Sequence, residues 1–231
     1  MREMTLPESG PKRKLLDAAE RLFAERGMDA VSIRDITDVA KTNVAAVNYH
    51  FGSREALMSW VMARVVVPIH EERLARLDGL ERKWSGKAVP VEEIIDAIAK
   101  PVAGQARKSG LSEPQYYKLV GRIFAQQADG LPKEIEAQLV HENDRFKRAF
   151  AKALPSVGED ELGWRMHFMR GGLIHLLMHQ ELPQRQSRGR SAEASMDAIV
   201  GRWVRFSAAG LREGVEPVTS SKKGPQELFD F

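Results

Sequence analysis

Residues 32–55 constrain this chain most, because they predict two short helices joined by a tight turn and followed by the start of a third. Ser32 can cap the first helix. Its apolar residues have the spacing of one buried face: Ile33, Ile36, Val39 and Ala40. Asn43 can cap the second helix and Ser53 the third, after Gly52 ends the second. This pattern predicts a helix-turn-helix.

The second predicted helix carries an unusual outward face. With Val47 turned inward, the outward residues are either small or able to form hydrogen bonds: Ala45, Ala46, Asn48 and Tyr49. Such a face is poorly suited to solvent contact alone. It suits a helix that must lie close to base edges in the major groove of DNA.

Composition sets only broad bounds. The 231 residues are 43% hydrophobic and 29% charged, as in ordinary soluble domains, and include no cysteine. No apolar run approaches the roughly 20 residues of a membrane span, and the first residues contain no signal-peptide core. We therefore expect a cytoplasmic protein with no membrane contact. The net charge of +3 is weak support for a nucleic-acid partner, since acidic and basic residues balance over residues 1–57.

Hydrophobic spacing predicts an all-α fold of about nine helices. The predicted helices cover about 11–26, 33–40, 44–51, 53–82, 91–108, 113–128, 133–153, 159–181 and 192–213. Pro68 and Pro101 predict kinks within two of them. We expect an N-terminal arm and DNA-binding domain over 1–57, a helical domain over 58–213 and a disordered tail over 214–231. A basic loop is expected over 183–191.

Three blocks of sequence resemble the tetracycline-repressor (TetR) family of bacterial regulators. They are L-x-A-A-x-x-L-F-A-E-R-G at 16–27, S-I-R-D-I at 32–36 and N-Y-H-F-G-S-R-E-A-L at 48–57, with the family's spacing between them. The likeness covers residues 12–57 closely, and the rest of the chain matches only as a series of helices. It departs at Lys41, where the family usually has glycine, and at Asn48, where an aromatic residue is more common.

The resemblance implies that the helix-turn-helix binds double-stranded DNA. The implied contact residues are Arg34, Lys41, Thr42, Asn43, Val44, Ala45, Ala46, Asn48, Tyr49, His50 and Arg54. Asn48 is the best candidate for a base contact and Tyr49 for a phosphate contact. Val44 either touches a thymine methyl group or packs beside Val47. Arg54 would act with the backbone amides at a helix N-terminus.

The resemblance also implies a homodimer whose C-terminal helices enclose a pocket for a small, lipophilic effector. The candidate pocket residues are Trp60, Phe124, Phe146, Phe150, Trp164, His167, Phe168 and Met169. The candidate dimer residues, which combine small and aromatic side chains, are Trp164, Phe168, Gly171, Gly172, His175, His179, Trp203, Phe206 and Gly210. Either set could instead belong to the core of one chain.

Other functions have weaker support in the sequence. His175 and His179 stand one turn apart, but their apolar neighbours indicate a helix–helix interface rather than a metal site. We find no catalytic triad, phosphate loop or paired-carboxylate motif, so we expect neither an enzyme nor a cofactor. The expected function is a ligand-responsive repressor. A constitutive DNA-binding dimer without a small-molecule site is the alternative, and a helical enzyme or adaptor is a third.

Overall fold

The computed structural model describes residues 9–126, 131–182 and 195–214. Within these ranges the chain forms nine α-helices and no strand, which confirms the all-α prediction. The helices are α1 (Pro11–Arg26), α2 (Ile33–Ala40), α3 (Val44–Phe51), α4 (Arg54–Lys83), α5 (Val91–Ala106), α6 (Glu113–Ala125), α7 (Lys133–Ala153), α8 (Glu159–Met178) and α9 (Met196–Arg212).

Helix α1 is the centre of the N-terminal unit. Pro11 occupies its first position, and Gly27 follows its last turn with φ 91°. The helix buries an apolar stripe that includes Leu15, Leu22 and Phe23 and packs against α2, α3, α4 and α6. The three-helix unit therefore rests on the remainder of the chain through α4 and α6.

One residue of α2 lies differently from the prediction. The apolar spacing places Val39 on the buried face, but this side chain is exposed over 40% of its surface. Thr37 takes the inward position instead, and its hydroxyl donates a hydrogen bond of 3.0 Å to the carbonyl of Arg34. This bond satisfies a buried polar group, so the inward face is shifted toward Thr37 and Val39 is left at its edge.

Helix α4 connects the N-terminal unit to the C-terminal helices. It has 30 residues and so extends over about 45 Å. The helix is continuous across Pro68, and α5 is continuous across Pro101, so neither proline ends the helix in which it stands. Both ends of α4 thus belong to one element, which can transmit a displacement.

The C-terminal helices form one core with α4. Helix α6 packs against α8, α5 packs against α4 and α9, and α7 packs against α4 and α8. The largest fully buried side chains of this region include Tyr117, Phe146 and Phe150. Helix α8 ends at Met178, three residues before the predicted end, because His179 leaves the helical conformation.

Several predicted segments cannot be compared with the structure. Most of the N-terminal arm, the basic loop at 183–191 and nearly all of the tail from 214 lie outside the described residues. Within the described residues, no helix is both long enough and apolar enough to cross a membrane.

Candidate nucleic-acid interface and cavities

The turn between α2 and α3 is built by local side-chain hydrogen bonds. Ser32 accepts a hydrogen bond from the Asp35 amide, and the Asp35 carboxylate accepts one of 2.8 Å from the Ser32 amide, forming a capping box. The hydrogen bonds from Ser32 lower the pKa of Asp35. At the other end of α2, Lys41 adopts the left-handed conformation with φ 54° and ψ 46°. The lysine therefore accepts the strain that glycine would avoid at this position.

Helix α3 presents an exposed face beside that turn. Asn43 caps the helix through a 3.0 Å hydrogen bond from the Ala46 amide to its side-chain oxygen. Val47 and Phe51 point into the core. The exposed side chains, which we call the recognition face, are Val44, Ala45, Asn48 and Tyr49. Tyr49 is 85% exposed, which is unusual for so large an aromatic residue.

The remaining predicted DNA-contact residues differ in their exposure. Arg34, Lys41 and Asn43 are exposed around the recognition face, whereas Ala46 and His50 are half-buried. His50 lies against the rings of Tyr49 and Phe51. The Thr42 hydroxyl is buried and has no hydrogen-bond partner among the described residues, so it does not face the surface as predicted.

Arg54 has a different environment from the one predicted. Its Nη2 donates hydrogen bonds of 2.6 Å to the Met28 carbonyl and 3.0 Å to the Val31 carbonyl. Its Nη1 lies 3.1 Å from the sulfur of Met58. The guanidinium thus joins the start of α4 to the α1–α2 loop instead of extending toward solvent.

Trp60 also serves the N-terminal unit. The Lys12 ammonium lies 3.6 Å from the centroid of the Trp60 ring, within the range of a cation–π contact. The same ring makes an edge contact with Phe51. Trp60 therefore ties α1, α3 and α4 together and does not line a C-terminal pocket as predicted.

Polar contacts connect α1 with α4 and α6. Arg122 of α6 donates hydrogen bonds of 2.5 and 2.6 Å to the carbonyls of Phe23 and Ala24, near the C-terminus of α1. Arg64 of α4 forms ion pairs with Asp17 at 2.7 Å and with Glu20 at 3.2 Å. These contacts fix the position of the N-terminal unit relative to the C-terminal helices.

A polar cavity of about 370 Å³ lies at this junction. Its lining includes Arg13, Arg64 and Lys108 beside Asp17 and Glu20. Burial raises the pKa of Glu20 to about 7, against the attraction of Arg64. Six of the twelve lining residues are charged, so this cavity is poorly suited to a lipophilic molecule.

A second, largely apolar cavity of about 220 Å³ lies among α4, α5, α6, α7 and α8. Its walls are aliphatic and aromatic, and four polar residues enter it. The lining is Val66, Arg73, Ile98, Ile123, Phe124, Leu131, Leu139, Glu142, Asn143, Phe146, Arg170, Leu173 and Ile174. Apolar walls with a few convergent polar groups are typical of small-molecule sites.

A buried charge network forms one wall of this apolar cavity. Glu142 accepts a hydrogen bond from Arg73 at 3.1 Å and lies 2.6 Å from His70 Nδ1. Arg73 also donates to the Ile98 carbonyl and lies over the Phe124 ring. Burial tends to raise the pKa of Glu142, but the hydrogen bond from His70 and the charge of Arg73 outweigh it and hold that pKa below its usual range.

Only two of the eight predicted pocket residues line this cavity, Phe124 and Phe146. Phe150 and Met169 are buried elsewhere in the core. Trp164, His167 and Phe168 lie on the outer face of α8. The prediction followed aromatic spacing along each helix, and that spacing does not distinguish a cavity wall from the rest of the core.

Sequence reasoning missed the four polar lining residues Arg73, Glu142, Asn143 and Arg170. A signal was available in the apolar stripes, because Arg73 stands between Ile69 and Leu77 at intervals of four residues. A charged residue that interrupts a buried stripe must find a partner inside the protein.

Helices α8 and α9 carry an exposed aromatic surface. Phe206 is 80% exposed, Phe168 68% and Trp164 54%, and the last two rings are stacked. Gly171 and Gly210 are exposed on the same two helices, and the His175 and His179 rings lie 4.9 Å apart.

Trp203, in contrast, is buried within its own chain, where its indole packs against Gly172.

No grouping of three or more metal-ligating side chains occurs within the described residues. The His175 and His179 pair therefore lacks a third ligand in the part of the chain that the structure covers.

Comparison with family models gives two matches. Residues 15–59 match the model for bacterial regulatory proteins of the tetR family, and residues 96–210 match the model for a tetracyclin repressor-like C-terminal domain. The first match spans the helix-turn-helix, and the second spans α6 to α8 with most of α5 and α9.

Two curated relatives share the N-terminal region. The chain is 40% identical over 58 residues to the HTH-type transcriptional repressor KstR2 of Rhodococcus jostii (25% of this chain and 28% of that protein). It is 29% identical over 85 residues to the HTH-type transcriptional regulator YvdT of Bacillus subtilis (37% and 44%). The matches therefore span less than half the length of either relative.

Solved structures match over nearly the whole chain. The TetR family transcriptional regulator PfmR of Thermus thermophilus has a TM-score of 0.53 at 16% identity, over 87% of this chain and 98% of that one. A mutant of HlyIIR has a TM-score of 0.54 at 17% identity, over 89% and 97%. At such identities the likeness shows the fold alone.

Proposed function

This chain belongs to the TetR family of bacterial regulatory proteins, and from that premise we propose that it is a DNA-binding transcriptional repressor. It binds a two-fold symmetric operator as a homodimer and is released by a small molecule. The observation that carries the DNA-binding proposal is the recognition face of α3, where the exposed amide of Asn48 and the exposed phenol of Tyr49 lie beside small side chains.

The recognition face fits the major groove in size and chemistry. Asn48 can form two hydrogen bonds to adenine, and Val44 can touch a thymine methyl group. Ala45 and the half-buried Ala46 keep the helix thin enough to approach base edges. Phosphates can be bound by Tyr49 of this face and, around it, by Lys41, Arg34 and the N-terminus of α3. Such contacts fix the register of the protein on DNA without reading its sequence.

A homodimer would be formed by α8 and α9 through their exposed aromatic surface. Three large aromatic residues on these two packed helices are 54–80% exposed, and a monomer rarely presents so much aromatic surface to water. A second copy related by two-fold symmetry would cover the same surface on both chains. Half-site reading requires such a dimer to hold its two recognition helices about one DNA turn, roughly 34–36 Å, apart.

The apolar cavity is the proposed effector site because α4 contributes to it directly. Val66 and Arg73 of α4 line the cavity, while the first turn of the same helix holds the helix-turn-helix through Arg54. An effector that favours a different position of α4 would change the separation of the two recognition helices. The shift can be no larger than the effector's difference in affinity for the two arrangements.

DNA footprinting over the intergenic region beside the gene tests the DNA-binding proposal. We expect Asn48→Ala and Tyr49→Ala to abolish or strongly weaken protection. Gln138→Ala, which removes an exposed amide from α7, is the matched control and should leave protection unchanged. Normal protection by both α3 variants would reject the recognition face.

The dimer and the effector are tested separately. Sedimentation should give a dimer for the wild type and a weakened dimer for Phe168→Glu with Phe206→Glu. If protection of the operator persists with every molecule that binds the protein, the constitutive DNA-binding dimer becomes the better description.

A further inference from the structure

Arg170 is the least neutralised charge in the apolar cavity. It lies on α8, is half-buried, and donates a hydrogen bond to the side-chain oxygen of Asn143. No carboxylate among the described residues lies within ion-pair distance of its guanidinium. Burial lowers the pKa of Arg170, the charge of Arg73 adds to that effect, and the charge of Glu142 opposes it only in part. Arginine nevertheless remains protonated in proteins. Burying this positive charge without a counter-charge therefore destabilises the empty cavity.

The other charges of the cavity already neutralise each other. Glu142 is shared by Arg73 and His70, at 3.1 and 2.6 Å. Of the two arginines and one glutamate that line the cavity, one positive charge is therefore left over, and it lies at Arg170. A ligand with a single negative charge would therefore balance the charge of the site.

The remaining walls of the cavity are apolar. Phe124, Phe146, Leu139 and Leu173 are among them, so the body of a ligand must be apolar as well. The volume of about 220 Å³ is below the roughly 300–1,000 Å³ of most drug-sized sites. A small ligand is therefore favoured over a large one.

We propose that this cavity binds a small amphipathic monocarboxylate, with its headgroup on Arg170 and Asn143 and its apolar body against Phe124 and Phe146. The planar guanidinium fork matches a carboxylate in two parallel hydrogen bonds. The Asn143 side chain is already oriented by Arg170 and can turn its amide hydrogens toward the same headgroup. The role of this acid as the effector rests on the proposed function, but its binding does not.

The site also connects the ligand to α4. Arg73 is the second guanidinium of the cavity and stands on the helix that carries the helix-turn-helix at its other end. A carboxylate at Arg170 adds a negative charge near Arg73, which competes with Glu142 of α7 for that arginine. Weakening the α4–α7 contact is how binding would reach the DNA-facing helices.

Calorimetric titration of the full chain, without DNA, tests the ligand class. The probes are hexanoate, octanoate, decanoate and 3-phenylpropanoate, each compared with its primary amide and its primary ammonium analogue. These sets keep the apolar body constant and change only the headgroup. We expect at least one acid to bind, its amide to bind at least tenfold more weakly, and its ammonium analogue not to bind.

Variants locate the headgroup. Arg170→Gln should weaken binding of the acid at least tenfold and leave the amide nearly unchanged, and Arg170→Lys should be intermediate because it keeps charge but loses the fork. Arg148→Gln, which removes an exposed arginine from α7, is the matched control. If Arg170→Gln fails to fold by circular dichroism, Asn143→Leu supplies the second variant, with a smaller loss expected.

Each outcome decides one proposal. Failure of every acid to bind, equal binding of acid and amide, or an unchanged affinity in Arg170→Gln and Asn143→Leu would overturn the carboxylate site. Tighter binding of the ammonium analogue would assign recognition to Glu142 instead. Specific binding of an acid that leaves the DNA footprint intact would keep the site and reject its role as effector.

Discussion

The two regions that α4 connects use polar groups in opposite ways. At its first turn the helix supports a surface where Asn48, Tyr49 and Lys41 are exposed and are free to meet phosphates and bases. Further along the helix, His70 and Arg73 are buried and held by Glu142. An exposed polar group is satisfied by water until DNA replaces it, whereas a buried one must be satisfied inside the protein. Substitutions in the first region should therefore change binding, and substitutions in the second should change stability.

The largest expected effect is on the buried network. Glu142→Gln removes the carboxylate that both Arg73 and His70 contact, and leaves the buried guanidinium of Arg73 without a counter-charge. We expect a loss of about 3–5 kcal/mol in the free energy of unfolding. Urea denaturation followed by circular dichroism measures it. Glu136→Gln, on the exposed face of the same helix, should stay within about 0.5 kcal/mol of wild type, and equal losses in both variants would contradict the comparison.

The next effect is at the junction of the two regions. Burial raises the pKa of Glu20 from 4.5 to about 7, so between these values the folded chain holds a proton that the unfolded chain has lost. Stability should therefore fall as pH rises from about 4.5 to 7, by up to about 3 kcal/mol from this group. In Glu20→Gln this contribution is absent, so the variant should gain stability relative to wild type from pH 5 to pH 8.

Urea denaturation of both proteins at several pH values measures the difference. Because Arg64 also pairs with Asp17 at 2.7 Å, it keeps an ion-pair partner in Glu20→Gln. A difference between the two proteins that does not change with pH would show that Glu20 is ionised in the folded chain throughout this range.

The contrast also explains which features were predictable from the sequence. Ser32, Asn43 and Ser53 each act on a backbone amide three residues away, so caps, helix bounds and the recognition face follow from local sequence. The apolar cavity depends on Arg73, Glu142 and Arg170 meeting from three helices far apart in the chain. Single-helix periodicity can place Arg73 on a buried stripe of α4, but it does not say which residues of other helices meet it.

Arg54 shows the same limit within the N-terminal unit. Its place at a helix N-terminus beside Ser53 favours a phosphate contact when only neighbours in sequence are considered. In the structure, the carbonyls of Met28 and Val31, more than twenty residues earlier, accept its hydrogen bonds. Those carbonyls belong to the loop between α1 and α2, and the direction in which they point depends on how the two helices pack. A local rule therefore gave a different role from the one that tertiary packing supports.

Arg54 consequently offers a test of intermediate size. Arg54→Ala leaves the Met28 and Val31 carbonyls without their donor and should cost about 2 kcal/mol of unfolding free energy. Arg54→Lys keeps the charge but reaches only one carbonyl, so it should recover less than half of that loss. Arg34→Ala, at an exposed position, should leave stability within about 0.5 kcal/mol and weaken DNA binding. Unchanged stability in Arg54→Ala, with a loss of DNA affinity that Arg54→Lys restores, would instead favour a phosphate contact.

The smallest effect is expected at Lys41, where backbone strain and DNA binding can be measured separately. Lys41 holds φ 54°, a conformation that glycine adopts without penalty, so Lys41→Gly should gain about 0.5–1 kcal/mol of stability. Lys41→Ala keeps the strain and should gain nothing. If the ammonium group contacts a phosphate, both variants should reduce the salt dependence of DNA binding by about one counterion. Affinity measured at several salt concentrations, with urea denaturation beside it, separates the two effects. An unchanged salt dependence in both variants would mean that Lys41 serves only the turn, and the strain it accepts would then have no counterpart in DNA binding.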